Sequence, residues 1–158
     1  IKINTMREIK FRLWNADTKE MIYPKLEHSQ DYVLQLNCSY VGEFDKDRKE
    51  YLTVKMPAMQ FTGLLHKSGK EIYEGDIFRQ EKETDDGDIR SYLVVFWVKQ
   101  RAAFYLVDVC HLSILENNDC SDEKEFDWVF QDAALYDFSI DVGLPLAGNI
   151  YEHSHLLK

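Results

Sequence analysis

Polar and apolar residues alternate through residues 7–14, with Ile9, Phe11 and Leu13 on one face and Glu8, Lys10 and Arg12 on the other. A period of two is that of a half-buried strand. Residues 15–19 read as a turn, and Met21-Ile22-Tyr23 as the returning strand before Pro24. Residues 32–36 form a further strand, and Tyr40-Val41 pairs with residues 51–54 across the charged tip 45–49. Asp86-Gly87 signals a hairpin, because both central positions of a type I′ turn take positive φ. From residue 89 to 98 the chain is rich in strand formers. Tyr92, Val94, Phe96 and Val98 share one face, and Leu93, Val95 and Trp97 the other. A strand apolar on both faces belongs in the middle of a covered sheet. Residues 104–107 add another strand. Ser121 is placed to cap a helix, with Asp122 and Glu123 in its first turn and Phe126, Val129, Phe130 and Ala133 on one face. Trp128-Val129-Phe130 would serve equally as a strand. Residues 138–142 and 146–151 close the series as strands.

The stretch 56–78 organises the rest. Gly63, Gly69 and Gly75 punctuate short apolar runs, a spacing that predicts tight strand reversals. The expected fold is mainly β: antiparallel, strongly bent small sheets or a partial SH3-like barrel, with one or two short helices. A β-rich α+β arrangement is the alternative. Residues 6–158 read as one domain, divisible into subdomains 6–55 and 56–158, with residues 1–5 as a leader before Met6.

Composition narrows the function more than the fold. The 158 residues are 45% hydrophobic and 13% aromatic, which suits a packed core. No apolar run approaches the ~20 residues of a membrane helix. Cys38, Cys110 and Cys120 are odd in number and widely spaced, which predicts free thiols in a reducing cytoplasm. Residues 116–141 carry nine acids and one base, so nearly all of the net charge of −9 lies there. Such a patch argues against nucleic acid as a partner. It reads as a solvated face, or as a surface for a basic partner.

The sequence carries few motifs of known chemistry. Phosphate-loop, dinucleotide and nucleophile-elbow spacings are missing. Cys110-His111 and Cys120 form the nearest soft-ligand cluster, without the short chelating pair that zinc sites use, and read as buried thiols beside a surface histidine. His153-x-His155 sets two imidazoles on one face of an extended segment, the weak metal candidate. Glu74-Gly75-Asp76 is the weak binding candidate, since the glycine lets both acids be presented. Its plainer reading is that Asp76 bonds backbone amides in its own turn. No catalytic residue and no cofactor is assigned.

Three patches carry a family resemblance. Residues 6–15 with Lys19-Glu20-Met21 resemble the opening of the YopX family of phage and prophage proteins. Met59-Gln60-Phe61-Thr62-Gly63-Leu64 and residues 69–77 resemble its central signature, and Gly148-Asn149-Ile150-Tyr151-Glu152 with Leu156-Leu157 its closing one. Within these, Trp14, Gln60, Phe61, Thr62, Gly63, Gly69, Ile72, Tyr73, Gly75, Asp76, Gly148, Asn149 and Tyr151 read as structural motif residues. The chain departs from the pattern at Asn15, where the family commonly has Asp, and at Leu65-His66-Lys67-Ser68-Gly69. The acidic 116–141 segment has no counterpart. The resemblance implies a phage or prophage origin in a Gram-positive host, a mainly β fold and no established activity.

The expected function is a non-catalytic accessory or protein-interaction module in the bacterial cytoplasm. Its partner would be another protein, and a homo-oligomer would cover open sheet edges. One rival is an acidic decoy that binds a host nucleic-acid-binding protein through residues 116–141. The other is an enzyme built on Glu74, Asp76 and a nearby histidine.

Overall fold

Asn15 turns the chain between β1 (Phe11–Asn15) and β2 (Glu20–Ile22). Its side-chain oxygen accepts the amides of Asp17 and Thr18 at 2.9 and 3.1 Å, a local turn bond that Asn forms readily. The structure, a computed structural model, describes residues 8–24, 32–35, 40–45, 47, 50–84, 87–98, 102–112 and 144–158. The expected helix at 121–133, the strand at 138–142, the acidic segment 116–141 and Cys38 and Cys120 lie outside these residues.

The chain divides into two compact units, Ile1–Phe61 and Thr62–Lys158. In the first, β1 lies between β2 and the start of β6 (Ala58–Leu65), pairing Leu13 with Ile22 and Arg12 with Met59. The Trp14 amide donates to Pro57 O at 3.0 Å, and the Phe61 amide to Lys10 O at 2.9 Å. Gln60 pairs with Phe11. Leu13 and Met56 form a small core with Ile22 and Ala58. Two sequence expectations fail here. Ile9 is 67% exposed and Arg12 only 5%. Ile9 precedes the paired part of β1, and at Leu13 and Arg12 both faces of this middle strand are covered. Strands β3 (Tyr32–Gln35), β4 (Tyr40–Asp45) and β5 (Glu50–Lys55) form a separate antiparallel meander. In the ladder Val41 pairs with Val54, as the strand pattern predicts.

The second unit is built on β8 (Asp76–Thr84) and β9 (Gly87–Val98), with β10 (Ala103–Asp108) beyond β9 and β11 (Leu146–Asn149) beyond β8. β7 (Glu71–Tyr73) runs beside β6. Every described pairing is antiparallel, and one sheet curls into a half-barrel. Among the described residues, 3-10 turns stand at Val109–His111 and Ser154–Leu157, and Leu112, just after the first of them, is α-helical.

As its two apolar faces require, β9 is central. Val95 packs on one side with Phe78, Phe104, Leu106 and Ile72. Val98 packs on the other with Val107, Phe96 and Tyr105. Trp97 meets Phe104 edge-on at 4.9 Å, a favoured aromatic geometry. Gly63 corrects the reading of the glycines as reversals, because it sits inside β6 at φ +89°. A glycine there bends the strand and does not end it. Thr62 spans the bend: its hydroxyl donates to Ile72 O at 2.8 Å and accepts the Leu64 amide at 3.2 Å. The β8–β9 hairpin forms, but its turn falls one residue earlier than the expected Asp86-Gly87 centre. Thr84 pairs with Gly87, so the connecting residues are 85 and 86, outside the described residues, and Gly87 opens β9.

Phe78 is fully buried. Phe78→Ala should therefore cost ~3–5 kcal/mol in urea unfolding. Leu65→Ala, at an exposed position, should stay within about 0.5 kcal/mol of the parent.

Candidate functional site

The central and closing signatures meet at one place. β11 pairs with the start of β8, setting Asn149 opposite Asp76 and Gly148 opposite Ile77, after a register shift between Leu146 and Gly148. Gly75 is the node. It takes φ +79°, which side-chained residues reach only at a cost. In that conformation its amide donates to Val95 O at 2.8 Å, and its carbonyl accepts the Ile150 amide at 2.9 Å. One turn residue thus links β9 to the closing segment.

The polar residues around Gly75 hold the two turns. Asp76 is 2% exposed. Its Oδ2 accepts the Tyr73 amide at 2.9 Å, so this carboxylate closes its own turn. Tyr73 donates its hydroxyl to Glu71 Oε2 at 2.6 Å. Asn149, 4% exposed, accepts the amides of Tyr151 and Glu152 through Oδ1, both at 3.0 Å. Its Nδ2 donates to the Glu152 carboxylate. This Asn-centred turn ends β11 at Asn149, whereas the sequence pattern carries the strand on to Tyr151. Side-chain competition with the ladder is the reason.

The histidine pair also differs from expectation. His153 and His155 do not lie on an extended segment. His153 accepts the Leu156 amide through its carbonyl as the chain enters the 3-10 turn. The two rings stand 6.1 Å apart. His153 Nδ1 lies 3.4 Å from the Asn149 amide, as acceptor, and its ring covers Gly148. A Cβ on Gly148 would fall 2.3 Å from Nδ1. His155 is exposed. Among the described residues, no three His, Cys, Asp or Glu side chains are grouped to hold a metal.

His66, marked in the sequence only as part of a departure from the family pattern, fastens the β6–β7 turn around Gly69 to the same region. Its Nε2 lies 3.1 Å from Leu144 O, and its Nδ1 2.7 Å from Ser68 Oγ. A carbonyl only accepts, so Nε2 carries the proton and Nδ1 accepts. Cys110 corrects a different expectation: it is exposed, not buried. Partial desolvation of its sulfur, and then the neighbouring Asp108, still push its thiol above the usual range, which lowers thiolate reactivity. No described helix is long and apolar enough to cross a membrane.

Burial, and then the Glu74 carboxylate, push the Tyr151 phenol above its ordinary value. A raised folded-state value means stability that is whole below the unfolded pKa of about 10 and is lost as pH rises through the folded one. Ring NMR of Tyr151 should show ionisation above about pH 10. Glu74→Gln should lower it without removing the part due to burial. Titration at or below the free-tyrosine value would refute the packing described. Gly148→Ala should destabilise through the His153 ring and through its φ of +151°. His153→Ala in the same chain should recover part of that loss, a coupling of about 0.5–3 kcal/mol in a denaturation cycle.

Comparison with known proteins agrees with this architecture. The model of the family described as "YopX: YopX protein" matches residues 10–158. The crystal structure of protein EF1440 from Enterococcus faecalis is similar in fold, with a TM-score of 0.52 and 23% identity over 97% of this chain and 100% of that one. No curated protein matches at a significant level. With nearly its whole length matched, the chain belongs to the YopX family.

Proposed function

We propose that the protein is a non-catalytic accessory protein of phage or prophage origin, acting in the bacterial cytoplasm by binding another protein. One observation carries this reading: the polar side chains of its signatures are engaged in holding backbone turns. Asp76 serves Tyr73, Asn149 serves Tyr151 and Glu152, and Thr62 serves Ile72 and Leu64. General acid–base work needs a carboxylate aimed at a substrate proton. Asp76 is aimed at its own chain. These residues make a scaffold, and the scaffold presents a surface.

A second reading is supported by charge. Residues 116–141 concentrate a net of −8 in 26 positions, which suits a decoy for a basic, nucleic-acid-binding host protein.

Affinity capture on the tagged protein from bacterial lysate, at low and then high ionic strength, separates these readings. The accessory reading expects a stoichiometric protein partner that survives high salt and is retained by Glu74→Gln and His155→Ala. Loss of the partner as charge is screened favours the decoy. A small-molecule turnover activity abolished by Glu74→Gln, with the fold intact, would overturn both.

A further inference from the structure

β8 and β9 remain paired beyond the strands that flank them. β11 accompanies β8 only over Asp76–Phe78, and β10 accompanies β9 only over Leu93–Val98. From Gln80↔Ser91 to Thr84↔Gly87 the pairing continues, among the described residues, as a two-stranded ribbon. Two strands alone are marginal in water. Glu81 laces this ribbon, its carboxylate lying 3.3 Å from both Arg79 Nε and Arg90 Nε. Ile89 nevertheless stands 55% exposed, with Asp88 and Arg90 exposed on either side. Among the described residues no strand lies along the outer edge of β9 here. Such an edge is a template for another strand.

We propose that this edge of β9 pairs with the same edge of a second copy, antiparallel, about a twofold axis at Ile89. Symmetry leaves few choices. Opposed side chains in an antiparallel pair share a face, so a twofold pairing must centre on a residue. Centring on Asp88 sets Asp88 against the partner's Asp88, and centring on Arg90 repeats the fault with two arginines. Centring on Ile89 sets Ile89 against the partner's Ile89, and Asp88 against the partner's Arg90, twice. That register joins an exposed apolar pair to two opposite-charge pairs, the arrangement that stabilises sheets. The outer edge of β8 lacks this property. Centred on Lys82, it opposes Glu81 to the partner's Glu83. The pairing is independent of the accessory and decoy readings, since it uses neither the signatures nor residues 116–141.

Single charge reversals supply the test. Asp88→Arg keeps the Arg90–Glu81 pair and stands across from Glu83 within its own ribbon, so it leaves the monomer folded. Sedimentation of the full chain over a concentration series should show a dimer. Asp88→Arg should weaken it by roughly tenfold or more, and Arg90→Asp likewise. Mixed together, the two variants should dimerise again, because each charge then meets its opposite. Ile89→Cys, with the three native cysteines changed to serine, should form a disulfide with its own copy on mild oxidation, since opposed residues of such a pair lie within disulfide reach. Should Arg90→Asp fail to fold, Asp88→Arg and the cysteine cross-link decide alone. A chain monomeric at all concentrations, or a dimer indifferent to Asp88→Arg and not cross-linked through residue 89, overturns the proposal.

Discussion

The peptide groups of Gly75 hold the second unit together. The amide donates to Val95 in β9, and the carbonyl accepts from Ile150, more than seventy residues further along the chain. Both bonds require a backbone turned through positive φ at that residue. With the turn in place, β8 leaves it with one edge against β9 and the other open to β11. The closing segment then supplies the strand that covers the β8 edge and the leucines Leu144 and Leu146 that complete the core around Phe78. An unpaired buried amide costs about 1–3 kcal/mol, so losing either partner of Gly75 would be felt through the whole sheet.

Parts of the central and closing signatures surround this node. Asp76 and Asn149 are among the few buried polar residues described, and each is bonded to amides of an adjacent turn. Gly148 is held small by the His153 ring. Residue types that look like chemistry in one dimension serve here as internal hydrogen-bond partners.

Much of the fold was legible because strand periodicity is local. The strand at β1, though not its inward face, the doubly apolar run of β9, the Asn15 turn and the hairpin before Gly87 all emerged from patterns a few residues long. What escaped depends on distant parts of the chain. Nothing near Arg12 announces that β2 and β6 will enclose its strand. The pattern at residues 146–151 favours a strand throughout, and only Asn149's choice of the Tyr151 and Glu152 amides stops it. The docking of β11 on β8, and His66 reaching Leu144, join positions about seventy residues apart, which no periodicity reports. For the candidate site, the preference of Asp76 for its own turn could be anticipated from its side-chain length. The commitment of His153 to Asn149 could not.

Amide hydrogen exchange at Ile150 tests the central role of Gly75 most directly. If the Gly75–Ile150 bond ties the closing segment into the sheet, that amide should exchange only through global unfolding, as slowly as those of Val95 and Phe78, and with the same denaturant dependence. Exchange of Ile150 at the rate of an exposed turn, while β9 remains protected, would show that the closing segment opens by itself and that the sheet does not depend on it.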